Sequence, residues 1–216
     1  MKKQIILIIF SLIAMSCSSQ KREIISKSTI KLEGKNTSIR DLLEIDGYYH
    51  AQNYPNFSPC MFFEDGIYVS SFTFKKDISE NEIKANMLKS LAGGIEDKQF
   101  SWGNYWGVYK IEGDTLVVYY YLRGSFWTPW YFDEVRYKII DRTTIQAIYS
   151  KGLRKADEQY NKERSPWISG SYLHFTPADS LPLSDCWLKK QKWIWRNEQD
   201  WRDYKERIKQ EKSKKK

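Results

Sequence analysis

The stretch that decides the fold is Trp106-Gly107-Val108-Tyr109-Lys110-Ile111-Glu112-Gly113-Asp114-Thr115-Leu116-Val117-Val118-Tyr119-Tyr120-Tyr121. Its first half is aromatic and punctuated by glycine. Glu112-Gly113-Asp114 then supplies turn chemistry, because glycine reaches the backbone angles a tight hairpin requires at no steric cost. Thr115 to Arg123 follows as a run of β-branched and aromatic residues, the types that suit a pleated surface. The whole reads as one β-hairpin.

The same grammar extends in both directions. Gly47-Tyr48-Tyr49-His50-Ala51 is β-rich. Cys60-Met61-Phe62-Phe63 and Ile67 to Phe74 flank Glu64-Asp65-Gly66, a second hairpin signal. Tyr131 to Ile140 alternates, with Tyr131, Val135, Tyr137 and Ile139 on one face and Glu134, Arg136 and Lys138 on the other. Asp141-Arg142-Thr143 turns the chain into Thr144 to Ser150, and Gly170 to Pro177 closes the series. One helix interrupts it. Ser79 and Glu82 form a capping box, Ile83, Met87, Leu88 and Leu91 share a face, and Gly93-Gly94 ends it. Seven or eight short strands joined by short turns, without strand-helix alternation, point to an antiparallel sandwich or barrel and away from a parallel α/β fold.

Three of these signals together resemble small bacterial lipocalin-like lipoproteins: Asp46-Gly47-Tyr48-Tyr49, Phe63-Glu64-Asp65-Gly66 and the hairpin from Trp106 to Leu116. The resemblance covers roughly residues 45 to 176. It implies a mainly β chain, a lipocalin-like antiparallel barrel or half-barrel with one inserted helix and a C-terminal helix. It also implies non-enzymatic binding of a small apolar or amphipathic ligand inside the barrel.

The N-terminus reads as an address. Lys2 and Lys3 precede an apolar run from Ile5 to Met15. That run is shorter than the roughly 20 residues of a membrane span and fits the h-region of a signal peptide. Ala14-Met15-Ser16-Cys17 resembles a bacterial lipobox. The resemblance implies cleavage before Cys17 and acylation of its thiol, a stable anchor because each buried methylene contributes about 0.8 kcal/mol. Ser18-Ser19 in place of Asp points to the outer membrane, with the facing side left open. The expected division is a signal peptide over 1–16, a lipidated cysteine and flexible tether over 17–44, a barrel over 45–180, and a basic amphipathic helix with a Lys-rich tail over 181–216.

Composition narrows the function classes. The chain carries 35 basic and 27 acidic residues, but Trp187 to Lys216 alone holds 12 and 5 of them. The basic excess therefore belongs to the C-terminus, and nucleic acid is not expected as a partner. In that segment Ile194, Trp201, Tyr204 and Ile208 fall at helical spacing over Trp193 to Lys212, so the helix either docks on the barrel or touches an anionic envelope surface. His50 and His174 are the only histidines and have no metal-ligand spacing, and no nucleophile elbow, Walker loop or dinucleotide fingerprint occurs. Neither a metal, a cofactor nor catalysis is expected. Cys60 and Cys186 are either a disulfide or two buried thiols. With nine Trp, 15 Tyr and 10 Phe, aromatic residues are the excess in this chain. Tyr105, Tyr109, Tyr120 and Tyr137 on central strands, with Trp127 and Trp130 near a loop, are the ligand-binding candidates. The alternative is an envelope interaction module, a filled barrel that binds a protein or glycan through surface aromatics or its basic helix.

Overall fold

The computed structural model describes residues 21–35, 37–51, 59–72, 81, 85, 101–122, 131–153, 170–179, 181 and 183–214. Eight strands form a closed, antiparallel, up-and-down barrel in sequence order. They are β1 (Gly47–Ala51), β2 (Cys60–Phe62), β3 (Ile67–Phe72), β4 (Ser101–Glu112), β5 (Thr115–Leu122), β6 (Tyr131–Asp141), β7 (Thr144–Gly152) and β8 (Tyr172–Pro177). The hairpin quoted above is β4–β5, paired without interruption from Tyr105↔Leu122 to Glu112↔Thr115. Gly66 and Gly113 take the positive φ (86° and 61°) that their turns require. Of the helix expected over 79–92, only Asn81 and Ala85 are described, and both are helical.

Closure depends on β1 meeting β8 over five register pairs, from Gly47↔Pro177 to Ala51↔Leu173. The approach is tightest at Gly47, where a Cβ would stand 2.1 Å from the Thr176 carbonyl oxygen and 2.7 Å from the Phe175 ring. No side chain fits there without moving backbone.

Strand alternation sends one set of side chains inward and one outward, and each set builds a core. The inner core runs round the whole ring, through Tyr49, Phe62, Tyr109, Val118, Tyr137 and Ile145 among others. The tight turns 64–66, 113–114 and 142–143 share one end with the start of β1, and a short plug seals that end. Ile39, within the 3-10 turn Ile39–Asp41, joins Leu43 and Ile45 in the inner core. Polar contacts fasten the plug. Arg40 makes a two-pronged pair with Asp46 (2.8 Å each) and contacts Glu64, while Arg142 grips Glu44 at 2.8 and 3.0 Å.

Among the described residues the outer core covers the wall of β3 to β6. Ile67, Val108, Val117, Tyr121 and Phe132 point outward there, under Ile24, Ile30 and Leu32 from the N-terminal side and Cys186, Leu188 and Ile194 from the C-terminal side. The two terminal segments also pair with each other: the Leu32 amide donates to the Ile194 carbonyl (2.8 Å) and the Arg196 amide to the Leu32 carbonyl (2.8 Å). This corrects the reading of 17–44 as a flexible tether. Residues 21–27 are helical and the segment from Ile24 to Ile45 is largely packed on the barrel. Its sparse apolar residues, spaced among Ser, Lys and Thr, hid that role.

The C-terminal helix also starts later than expected, at Glu198, and runs to Lys214. Asn197 caps it, its side-chain oxygen accepting from the Asp200 amide at 2.8 Å. Trp193 to Trp195 lie before it, in and beyond the 3-10 turn Lys192–Ile194, and pack against the wall. Tyr204 is buried and Trp201 and Ile208 half-buried, so the stripe read from the sequence is the docking face.

Gly47→Ala is expected to lower unfolding stability by about 2 kcal/mol or more, the scale of forcing an extra group into a packed core. Chemical denaturation checks this. A change within about 0.5 kcal/mol would show that the closure tolerates a side chain.

Candidate functional site

The inner surface changes character along the barrel axis. Above the plug, Phe62 is the hub, with ring centroids 6.0 Å from Tyr49, 5.3 Å from Tyr68, 5.5 Å from Tyr109 and 6.1 Å from Tyr137. Tyr68 and Tyr137 join hydroxyl to hydroxyl at 3.0 Å, and Cys60 belongs to the same inner core. All three are at most 7% exposed. Together with Phe62 they form a closed septum across the ring.

Beyond the septum, toward the end from which the longer connections leave, the inward positions become small or half-exposed. Ala51, Ser70, Tyr105, Tyr120 and Ser150 are each partly open to solvent. Among the described residues these inward positions are less completely buried than those of the septum. At the plugged rim Ile111, Ile139 and Phe175 are also partly exposed, but these are large apolar side chains packed round the plug. The inward positions at the other end, called the cup below, are therefore phenols, hydroxyls and small residues.

Tyr105 and Tyr120 form one wall, edge to face with centroids 5.7 Å apart. Gly107 makes room for Tyr120, since a Cβ there would lie 2.5 Å from the Tyr119 carbonyl oxygen and 3.0 Å from Tyr120. The Tyr120 hydroxyl donates to Asp133 Oδ2 at 2.6 Å. Asp133 is the register partner of both Tyr120 and Gly152 and is 5% exposed. It is an inward-facing carboxylate.

The candidates from the sequence fall into three groups. Tyr105 and Tyr120 line the cup. Tyr137 belongs to the septum. Tyr109 belongs to the floor, where its hydroxyl donates to the Phe63 carbonyl (2.6 Å) and meets the Thr37 hydroxyl (2.7 Å). Trp127, Trp130 and Cys17 lie outside the described residues. His50 and His174 are register partners on the outer face rather than across the interior, and among the described residues no cluster of metal-ligating groups occurs. The sequence reading missed Ser70, Ser150 and Asp133. For Asp133 a signal existed: it shares the inward face of β6 with Val135, Tyr137 and Ile139, and one acid breaks an otherwise apolar row.

Cys60 and Cys186 are both free. Cys60 faces into the barrel and Cys186 sits in the outer core, so the sheet itself separates them. Burial pushes the Cys60 thiol up to about 12 and the Cys186 thiol up to about 11. Beside Cys186, Lys189 pairs with Asp65 and hydrogen-bonds Ser184 at 2.8 Å, which straps the C-terminal segment to the β2–β3 turn. Lys189 is 3% exposed and neutralised by Asp65, so this cluster is a fastening.

Compared with known proteins, the chain matches no protein-family model, no curated protein and no solved structure.

Neither thiol is expected to alkylate at pH 8 in the folded protein, and both are expected to react once it is unfolded, as read by intact mass. The folded state resists deprotonation of both groups. Their stabilising contribution is therefore full below the ordinary thiol pKa of about 9 and falls as pH rises through about 11 and 12. Rapid alkylation of the native protein, or stability unchanged above pH 9, would contradict this burial.

Proposed function

We propose that this chain is a lipid-anchored envelope protein of the lipocalin-like kind whose cup holds a small apolar or amphipathic molecule without transforming it. The observation that carries the reading is the step in exposure at the septum. Below it the interior is filled by aromatic rings, and above it Ala51, Ser70, Tyr105, Tyr120 and Ser150 remain partly open. An eight-stranded ring has room either for its own side chains or for one small ligand. This chain divides its length between the two.

Anchoring through acylated Cys17 follows from the signal-like N-terminus and lipobox. It agrees with the packing of residue 21 onward, which would leave Ser18, Ser19 and Gln20 between the acyl chains and the barrel.

The second reading, an envelope interaction module, has one observation in its favour. Tyr149 and Tyr172 stand 36% and 50% exposed on the outer side of β7 and β8, the wall that the terminal segments leave uncovered. Trp187, Trp193 and Trp195 pack into the outer core instead.

One set of proteins tests the proposal. The unaltered chain is expected in the membrane fraction with an acyl mass increment, and Cys17→Ala in the soluble fraction without it. The neutral dye N-phenyl-1-naphthylamine is expected to brighten on binding, and Ser150→Trp, which fills the cup, is expected to weaken the dye by about tenfold or more. No brightening, or equal binding by Ser150→Trp, would move the weight to the interaction module.

A further inference from the structure

We infer that the barrel stands on the bilayer with its cup end toward the leaflet that holds Cys17, and with the plug and the start of the C-terminal helix pointing away. This rests on the reading of Cys17 as the acylated anchor and names the surface that the cup addresses.

The course of the N-terminal segment carries the inference. The tight turns lie at the plugged end, so β5 begins at that end and finishes at the cup end. Thr37 is at the plugged rim, where its amide donates to the Glu64 carbonyl at 2.7 Å. Leu32 lies beside Gly66 of the same turn. Thr29 meets the Tyr119 hydroxyl at 3.1 Å, and Ser28 meets the Tyr121 hydroxyl. Lys27 donates to the Leu153 carbonyl at 2.6 Å, and Leu153 directly follows β7 at the cup end. From Thr37 back to Lys27 the segment thus climbs the wall from the plug to the cup end. The helical residues 21–27 stand at the top of that climb, with Ile24 in the outer core alongside Tyr121 and Phe132.

Chain length then decides which end can meet the bilayer. Only Ser18, Ser19 and Gln20 separate Cys17 from Lys21. Four steps of fully extended chain reach at most about 14 Å. The eight residues of β5 alone, tilted as barrel strands are, rise about 20 Å along the axis. The cup end is therefore within reach of the anchored leaflet and the plugged end is not. Arg22 and Lys151 are exposed at the cup end, cations that suit anionic headgroups. The C-terminal helix begins at the opposite end. Asp200 in its first turn packs against Gly34, Tyr204 meets Asp185, and the neighbouring Ser184 is strapped to Asp65 of the β2–β3 turn. The basic stretch in which the sequence suggested a membrane contact is thus set away from the leaflet, and the anchor alone sets the orientation.

The test uses the full acylated chain on vesicles of equal parts phosphatidylethanolamine and phosphatidylglycerol that carry a headgroup spin-labelled lipid. Buried Cys60 and Cys186 leave a new surface thiol as the labelling site, so a fluorophore is placed on Lys151→Cys at the cup end or on Asp114→Cys in the β4–β5 turn. The label at 151 is expected to be quenched several-fold more strongly than the label at 114. A Gly/Ser insert of about 20 residues after Ser19, with a reach of about 25 Å, is expected to bring the two close to equal while leaving the chain on the vesicles. Hydrogen exchange of the unaltered chain on vesicles, against Cys17→Ala in solution, repeats the comparison without labels, with added protection expected at 151–153 and none at 113–114. Equal quenching at the natural spacing, or stronger quenching at 114, would overturn the orientation and leave the anchor standing. A chain that does not float with the vesicles would overturn the anchor reading and the orientation with it.

Discussion

The edges and faces that Phe62 offers to Tyr49, Tyr68, Tyr109 and Tyr137 set the plan of the interior. Eight strands enclose a lumen that a few aromatic rings can fill. With Phe62 at the centre, four tyrosines pack round it and the ring is solid from the plug to the Tyr68–Tyr137 hydrogen bond. The hydroxyls that such rings carry inward are each met. Tyr49 donates to the Glu44 and Arg142 carbonyls, Tyr109 to the Phe63 carbonyl, and Tyr68 and Tyr137 meet each other. Burial of these phenols without those partners would cost more than their packing returns. The filled part thus gives the barrel its stability.

The wall has a second dependence. β5 reads Leu116-Val117-Val118-Tyr119-Tyr120-Tyr121, apolar on both faces, which a barrel strand with one face in water would not need. Its outward residues Val117 and Tyr121 are buried under the terminal segments. Tyr121 stacks on Phe132 with centroids 4.9 Å apart and meets Trp193 edge-on at 5.4 Å. The aromatic excess in the composition is therefore divided between two cores on opposite sides of the same strands. The chain ends are part of the fold, held by backbone pairing between residues 32 and 194–196 and by the Lys189–Asp65 strap.

Much of the barrel was legible. The turns at Gly66 and Gly113 need positive φ, and glycine announces them. The alternation along β6 sets Val135, Tyr137 and Ile139 on one face, and these join the inner core. What could not be read was long-range partnership. Nothing local in Ile24, Ile30 or Leu32 says that a wall built from Ile67, Val108, Val117, Tyr121 and Phe132 will bury them. Tyr105, Tyr109, Tyr120 and Tyr137 look equivalent as strand residues, yet register places two in the cup, one in the septum and one in the floor. Asp133 was passed over because the apolar members of its face drew the reading, although the acid was the informative departure. Cys60 and Cys186 were left open between pairing and burial, and strand parity decides it by sending one inward while the other lies outside the sheet.

The central claim is that the interior is filled below the septum and open for one molecule above it. Native mass spectrometry of the protein purified gently from cells tests this most directly. The account predicts a non-covalent adduct at a one-to-one ratio that is lost on denaturation, with a mass in the range of one small amphipathic molecule. A bare polypeptide mass, unchanged after incubation with small amphiphiles, would contradict it and would mean that the barrel is a filled scaffold throughout.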